Sequence, residues 1–145
     1  MSQYFEIGDE TLWNPSNGAA RLFLRQVEVF EAELELPSGL EPMRNDECEI
    51  DPAVFAVFVH ALLALHRRTG HGVVLALSEG FVATVVALAG RAGTDIDWAR
   101  LEAVPDGPRS DVHVSAAGMS GPGDGGPWAA ALRARAAELS RGMAR

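Results

Sequence analysis

From Gly72 to Gly90 the chain reads GVVLALSEGFVATVVALAG, nineteen residues with a single charge, Glu79. A helix apolar all round its circumference cannot lie on a water-facing surface, so this stretch demands cover from protein or from lipid. The segment before it, PAVFAVFVHALLALHRR at 52–68, is also aliphatic or aromatic almost all round. The second helix approaches the length that spans a bilayer, but a central glutamate and the lack of flanking aromatic anchors argue for burial within protein and against a membrane. At 145 residues the chain is one domain in size. Small domains bury a small fraction of their surface, and two such helices exceed what one copy covers. A homodimer related by a two-fold axis, paired through the helices at 52–68 and 72–90, is therefore expected. Stripes of small residues, Ala76, Gly80, Ala83, Ala87 and Gly90 on one helix and Ala53, Ala56, His60 and Ala64 on the other, suit a close approach of backbones.

The remainder of the first hundred residues supplies a sheet and one more helix. YFEIGDETLW reads as two short strands joined at Gly8 and Asp9, with Phe5 and Ile7 alternating against Tyr4 and Glu6. From about Asn17 to Leu36, Ala20, Phe23, Val27, Phe30 and Leu34 recur at intervals of three and four, the mark of a surface helix with one buried stripe. Pro37, Ser38 and Gly39 stop it. NDECEID then alternates Cys48 and Ile50 with acidic residues, a half-buried strand at 46–51, and Asp51-Pro52 caps the next helix. The expected fold class is α+β: a small antiparallel sheet, from the N-terminal hairpin and the strand near 46–51, packed on three helices. This domain is expected to occupy 1–103. Glycine, proline and serine dominate 104–127, which reads as a flexible linker. Beyond it, 128–145 forms a short arginine-bearing amphipathic helix with Trp128, Leu132, Ala136, Leu139 and Met143 on one side. Weak docking at most is expected of it.

Charge narrows the function classes. Residues 1–103 hold 16 acidic residues against 7 arginines, and the chain has no lysine at all, the codon bias of a GC-rich genome. A net charge of -8 makes nucleic acid an unsuitable partner and leaves an acidic recognition surface for a basic protein. Cys48 is the only cysteine, and no charged, apolar and small signal pattern opens the chain, so a reducing cytoplasm is the expected compartment.

No complete catalytic motif and no cofactor signature occurs. His60, His66 and His71 lie within thirty residues of Asp46, Glu47, Cys48 and Glu49, but their spacings match neither a zinc nor a calcium site, so no metal is expected. If RRTGHG folds the two apolar helices into an antiparallel hairpin, His60 faces Glu79 and Gly80. That pair either satisfies two polar groups in a crowded core or acts as general base and orienting partner. A second candidate is WNPSNG. Asn14 and Ser16 are helix-capping types and Pro15 fixes a turn, so a structural loop accounts for all but Trp13 and Arg21. The alternative is a binding loop for an anionic metabolite, with Trp13, Asn14, Ser16, Asn17 and Arg21 as its contacts.

Taken together, MSQYFEIGDETLWNPSNGAARLFL, DECEID, HRRTGHGVV and LSEGFVATV resemble a family of small actinobacterial proteins known by a domain-of-unknown-function label, over roughly residues 1–100. The resemblance implies a cytoplasmic protein of unassigned role and transfers no catalytic residue. The leading expectation is a non-enzymatic interaction domain, a homodimer whose acidic surface recognises another protein, in one version a toxin-neutralising immunity protein. The rival is a small-molecule binding protein or small enzyme built on the Trp13 to Arg21 loop.

Overall fold

The computed structural model describes residues 2–103 and 127–145. It is α+β, with the element order β1 (Tyr4–Ile7), β2 (Glu10–Trp13), α1 (Asn17–Leu34), β3 (Glu47–Glu49), α2 (Pro52–Arg68), α3 (Gly72–Arg91), α4 (Trp98–Glu102) and α5 (Pro127–Gly142). The linker expected at 104–127 lies outside the described residues, apart from Pro127 at the start of α5.

Gly8 turns the β1–β2 hairpin at a φ of 56°, and its N–H donates to Glu49 Oε1 at 2.8 Å. A register shift between Phe5 and Glu6 lets two successive residues of β2, Leu12 and Trp13, both face inward. Trp13 stacks on Phe5 at 5.2 Å between ring centroids and meets Phe23 of α1 edge-on at 5.3 Å. Phe30 of α1 in turn stacks on Phe81 of α3 at 4.7 Å. This run of rings ties the sheet to α1 and α3.

The sheet is mixed, in the order β2-β1-β3, because β3 pairs with β1 in parallel where an antiparallel strand was expected. The cause lies upstream. After α1 the chain descends along β3, with Leu40 bridged to Ile50, and reverses at Asn45 and Asp46, whose φ values of 51° and 66° are those of a tight type I′ turn. β3 is thus the return limb of a second small hairpin, and that hairpin decides its direction. Cys48 at its centre is fully buried, and its Sγ–H donates to Glu41 O at 3.1 Å.

Helix boundaries follow local chemistry. Ser16 caps α1 through Ala19 N at 3.4 Å, Asp51 caps α2 through Ala53 N and Val54 N at 2.9 and 3.1 Å, and Asp97 caps α4 through Arg100 N at 3.0 Å. α4 is an addition to the three helices expected within the first hundred residues. Five residues are too few to display a period.

α3 is divided along its length. From Phe81 to Ala89 every residue but Thr84 is buried, whereas Val73, Val74, Ala76, Leu77, Glu79 and Gly80 are exposed. It is long and apolar enough to cross a membrane by length and composition, and half of its apolar span is buried inside the protein. Much of the cover on its C-terminal half comes from α5, with Ala129, Leu132 and Ala136 buried. The last helix therefore packs into the core instead of docking weakly.

Candidate functional site

Three places merit consideration: the Trp13 to Arg21 loop, the polar side chains of the α2–α3 hairpin, and the exposed half of α3.

At the loop the structure brings together some of the expected residues and separates others. Trp13 is 8% exposed and packed among Phe5 and Phe23, so its ring faces belong to the core and do not wall a ligand site. Its rim, with Asn14, Pro15 and Ser16, lines a groove of about 500 Å³ whose opposite bank is the C-terminal half of α5, including the Arg135–Glu138 ion pair at 2.8 Å. Asn14 N–H donates to Ala144 O at 2.9 Å, and the amide oxygens of Asn14 and Asn17 are buried without a partner. Neither Asn17 nor Arg21 lines this groove, and Arg21 is exposed on α1. The loop thus meets the chain's own last helix.

That meeting is held by Arg91, a residue the sequence reading did not single out. Its Nε donates to Ser140 Oγ at 3.1 Å, Nη1 to Leu12 O and Ala144 O at 2.6 and 3.4 Å, and Nη2 to Ser140 O and Met143 O, both at 2.7 Å. A guanidinium has five N–H donors, and all five are engaged. The carbonyls at the end of α5 are those a helix leaves without intrahelical donors, so Arg91 acts as a C-terminal cap supplied from another element. Burial, and then the nearby charge of Arg145, lower its pKa from the usual arginine value. A second groove of about 600 Å³ runs beside it, lined among others by Thr94, Asp95, Trp98 and Arg133.

In the hairpin, His60 and Glu79 do not pair. His60 Nδ1 donates to Ala56 O at 2.7 Å and Nε2 accepts from Asp97 N at 3.2 Å, so both ring nitrogens are committed, the second to the start of α4. The cross-helix partners are instead His66 and Ser78, Nδ1 to Oγ at 3.2 Å. The antiparallel hairpin itself is present. Its register lies about one helical turn from the symmetric one, because Thr69 and His71 are extended, with ψ of 127° and 110°. Ser78 Oγ lies 2.7 Å from Val74 O, to which it donates, so its hydroxyl proton is occupied and it can only accept from His66. This fixes the Nδ1–H tautomer of His66, the opposite of what a base poised to deprotonate serine needs. Cys48 is equally unsuited to nucleophilic work. Burial first, then the charges of Glu41 and Glu49, push its thiol up to about 12. Among the described residues, no three His, Cys, Asp or Glu side chains are grouped to hold a metal ion.

The third place has a different chemistry. Leu77 is 76% exposed, Val73 45% and Val74 42%, on a helix whose continuation is the core. Gly80 lies on the same half, and a Cβ added there would meet nothing within 4 Å. Mid-helix glycine costs about 1 kcal/mol relative to alanine. Among the described residues, none packs closely enough on Gly80 to return that cost.

A family model described as a family of unknown function (DUF6086) matches residues 1–145, a span that includes the last helix as well as the first hundred residues. No curated protein and no solved structure matches the chain.

Proposed function

The chain belongs to this family of unknown function, and from that premise we propose that it is a non-enzymatic cytoplasmic interaction domain that pairs with a second copy of itself through the α2–α3 hairpin. The observation that carries the reading is the exposed apolar half of α3, where Val73, Val74 and Leu77 stand in water beside the open backbone of Gly80. Contiguous exposed apolar side chains mark association surfaces more often than isolated ones do. A second α3 laid across this half would cover Leu77 and use the close approach that Gly80 permits. The acidic residues on the outward side of α1, Glu28 and Glu33, and Glu35 just beyond its end, are exposed and available to a basic protein partner, as an immunity-type role requires. The lysine-free composition supports an actinobacterial source. The binding-loop alternative receives less support, since Trp13 is packed into the core and Arg21 lies outside the groove.

Sedimentation equilibrium tests the pairing. Leu77→Arg sets two cations against each other across a two-fold interface and is expected to raise the dimer dissociation constant at least roughly tenfold, the equivalent of about 1.4 kcal/mol. Leu22→Arg, also an exposed leucine but on α1, serves as the control and should leave the dimer intact. A wild-type chain that sediments as a monomer throughout would remove the proposal.

A further inference from the structure

His66 sits where α2, α3 and the beginning of α5 meet. It is 8% exposed, and its Nδ1–H is spent on Ser78 Oγ. An added proton therefore goes to Nε2. The ring faces Trp128 of α5 at 6.3 Å between centroids, and Trp128 already has the Arg67 guanidinium 5.8 Å from its centre and Trp98 edge-on at 6.1 Å. The indole Nε1 of Trp128 is buried without a hydrogen-bond partner. Among the described residues, this end of α5 is held by ring packing and the Arg67 cation–π contact, while the other end is held by the five donors of Arg91.

We propose that His66 couples the seating of α5 to protonation: the neutral imidazole lets the Trp128 end of the helix lie against α2 and α3, and the imidazolium loosens that end. Uptake of the proton places a second cation beside Arg67 at the same indole and buries a charge that water would otherwise solvate. Among the described residues, the other charges around the junction are Glu79 on α3 and Arg133 on α5, the latter over Trp98 at 5.3 Å. Glu79 favours the proton, but it is exposed and so screened. Burial is the larger influence, and the His66 pKa lies below its ordinary 6.5. The direction follows. A folded-state pKa below the unfolded value means that the unseated form binds more protons, so the stabilisation is complete above pH 6.5 and is lost as pH falls toward the folded value. The inference concerns a single chain and does not depend on pairing.

The experiment is an NMR titration of the full chain from about pH 7.5 to about pH 5, the range in which histidine changes charge, at a concentration where sedimentation shows one species. It follows the His66 ring carbons, the Trp128 indole N–H and the amide protection of α5 corrected for intrinsic exchange. The expected result is one shared midpoint below pH 6.5 for His66 and Trp128. Protection in the Trp128 half of α5 should fall roughly tenfold for each unit by which that midpoint is depressed. In His66→Asn, whose amide can still donate to Ser78 while carrying no titratable ring, protection should vary less than about twofold. His60 and His71 are unchanged in that variant and serve as internal controls. An indole signal and α5 protection that stay constant through the His66 midpoint would overturn the proposal, as would a pH response that persists in His66→Asn. Should the variant not fold, the wild-type titration decides alone.

Discussion

Gly39 shows how one position can fix a connection. Its φ is 81°, and a Cβ there would come within 2.7 Å of Phe55 N and 2.9 Å of Asp51 O. Both atoms are backbone at the first turn of α2, and Gly39 O accepts Asp51 N–H at 2.8 Å, so nothing nearby is a flexible side chain able to step aside. Gly39→Ala is therefore expected to destabilise the fold by about 2 to 4 kcal/mol, the positive φ and the enforced backbone shift adding together, as read from urea denaturation midpoints. The glycine was legible in the sequence as a helix stop, but its second role was not, because contact with α2 depends on a descent along β3 that no local pattern announces. The same limit applies at His60. Helical spacing assigns a face to a residue reliably, yet the partner across a hairpin depends on the register, and three linking residues moved that register by about one turn. His66 entered the sequence reading only as a metal-ligand candidate, and Ser78 carried no signal there at all.

At the scale of elements, α1, α2 and α3 could be read from period and capping residues, because each carries its buried stripe or its apolar circumference within itself. The direction of β3 could not: alternation tells which residues face inward, not which way the neighbouring strand runs. Nor could the docking of α5, whose buried face is mainly alanine and whose principal hydrogen bonds come from an arginine about fifty positions earlier. That arginine sets up a prediction at this level. Arg91→Met preserves length and apolar stem but removes five donors, taking Arg91's bonds from the Met143 and Leu12 carbonyls and leaving Ser140 O only the Met143 N–H at 3.3 Å. A loss of about 1 to 3 kcal/mol is expected, since a hydrogen bond to a charged group contributes about 1.5 to 3 and neighbouring water recovers part of it. Hydrogen exchange should place the loss in the second half of α5 and in β2, with α2 unaffected. A uniform loss across all helices would show that the guanidinium does not act as a local cap.

For the molecule as a whole, the single thiol is a convenient observer. Cys48 lies at the centre of β3, an outer strand of the three, with no exposed surface, bonded to Glu41 O, and its pKa is pushed up to about 12 by burial and then by Glu41 and Glu49. Alkylation at about pH 8 requires a thiolate in water, which the native state does not provide. Labelling is thus expected to proceed only through opening of the sheet, with the free energy of opening from its rate matching that of global unfolding from denaturant. Fast labelling under native conditions would mean that β3 opens independently. The way α5 is held carries a further consequence. Among the described residues, its grip on the body comes from contacts between two separate pieces, Ala129, Leu132 and Ala136 against α3 and the end carbonyls against Arg91, and joining the two in one chain raises the local concentration of one for the other. A chain cut between 104 and 126 would then be a complementing pair of fragments, a split protein whose reassembly turns the seating of one helix into an ordinary bimolecular binding constant.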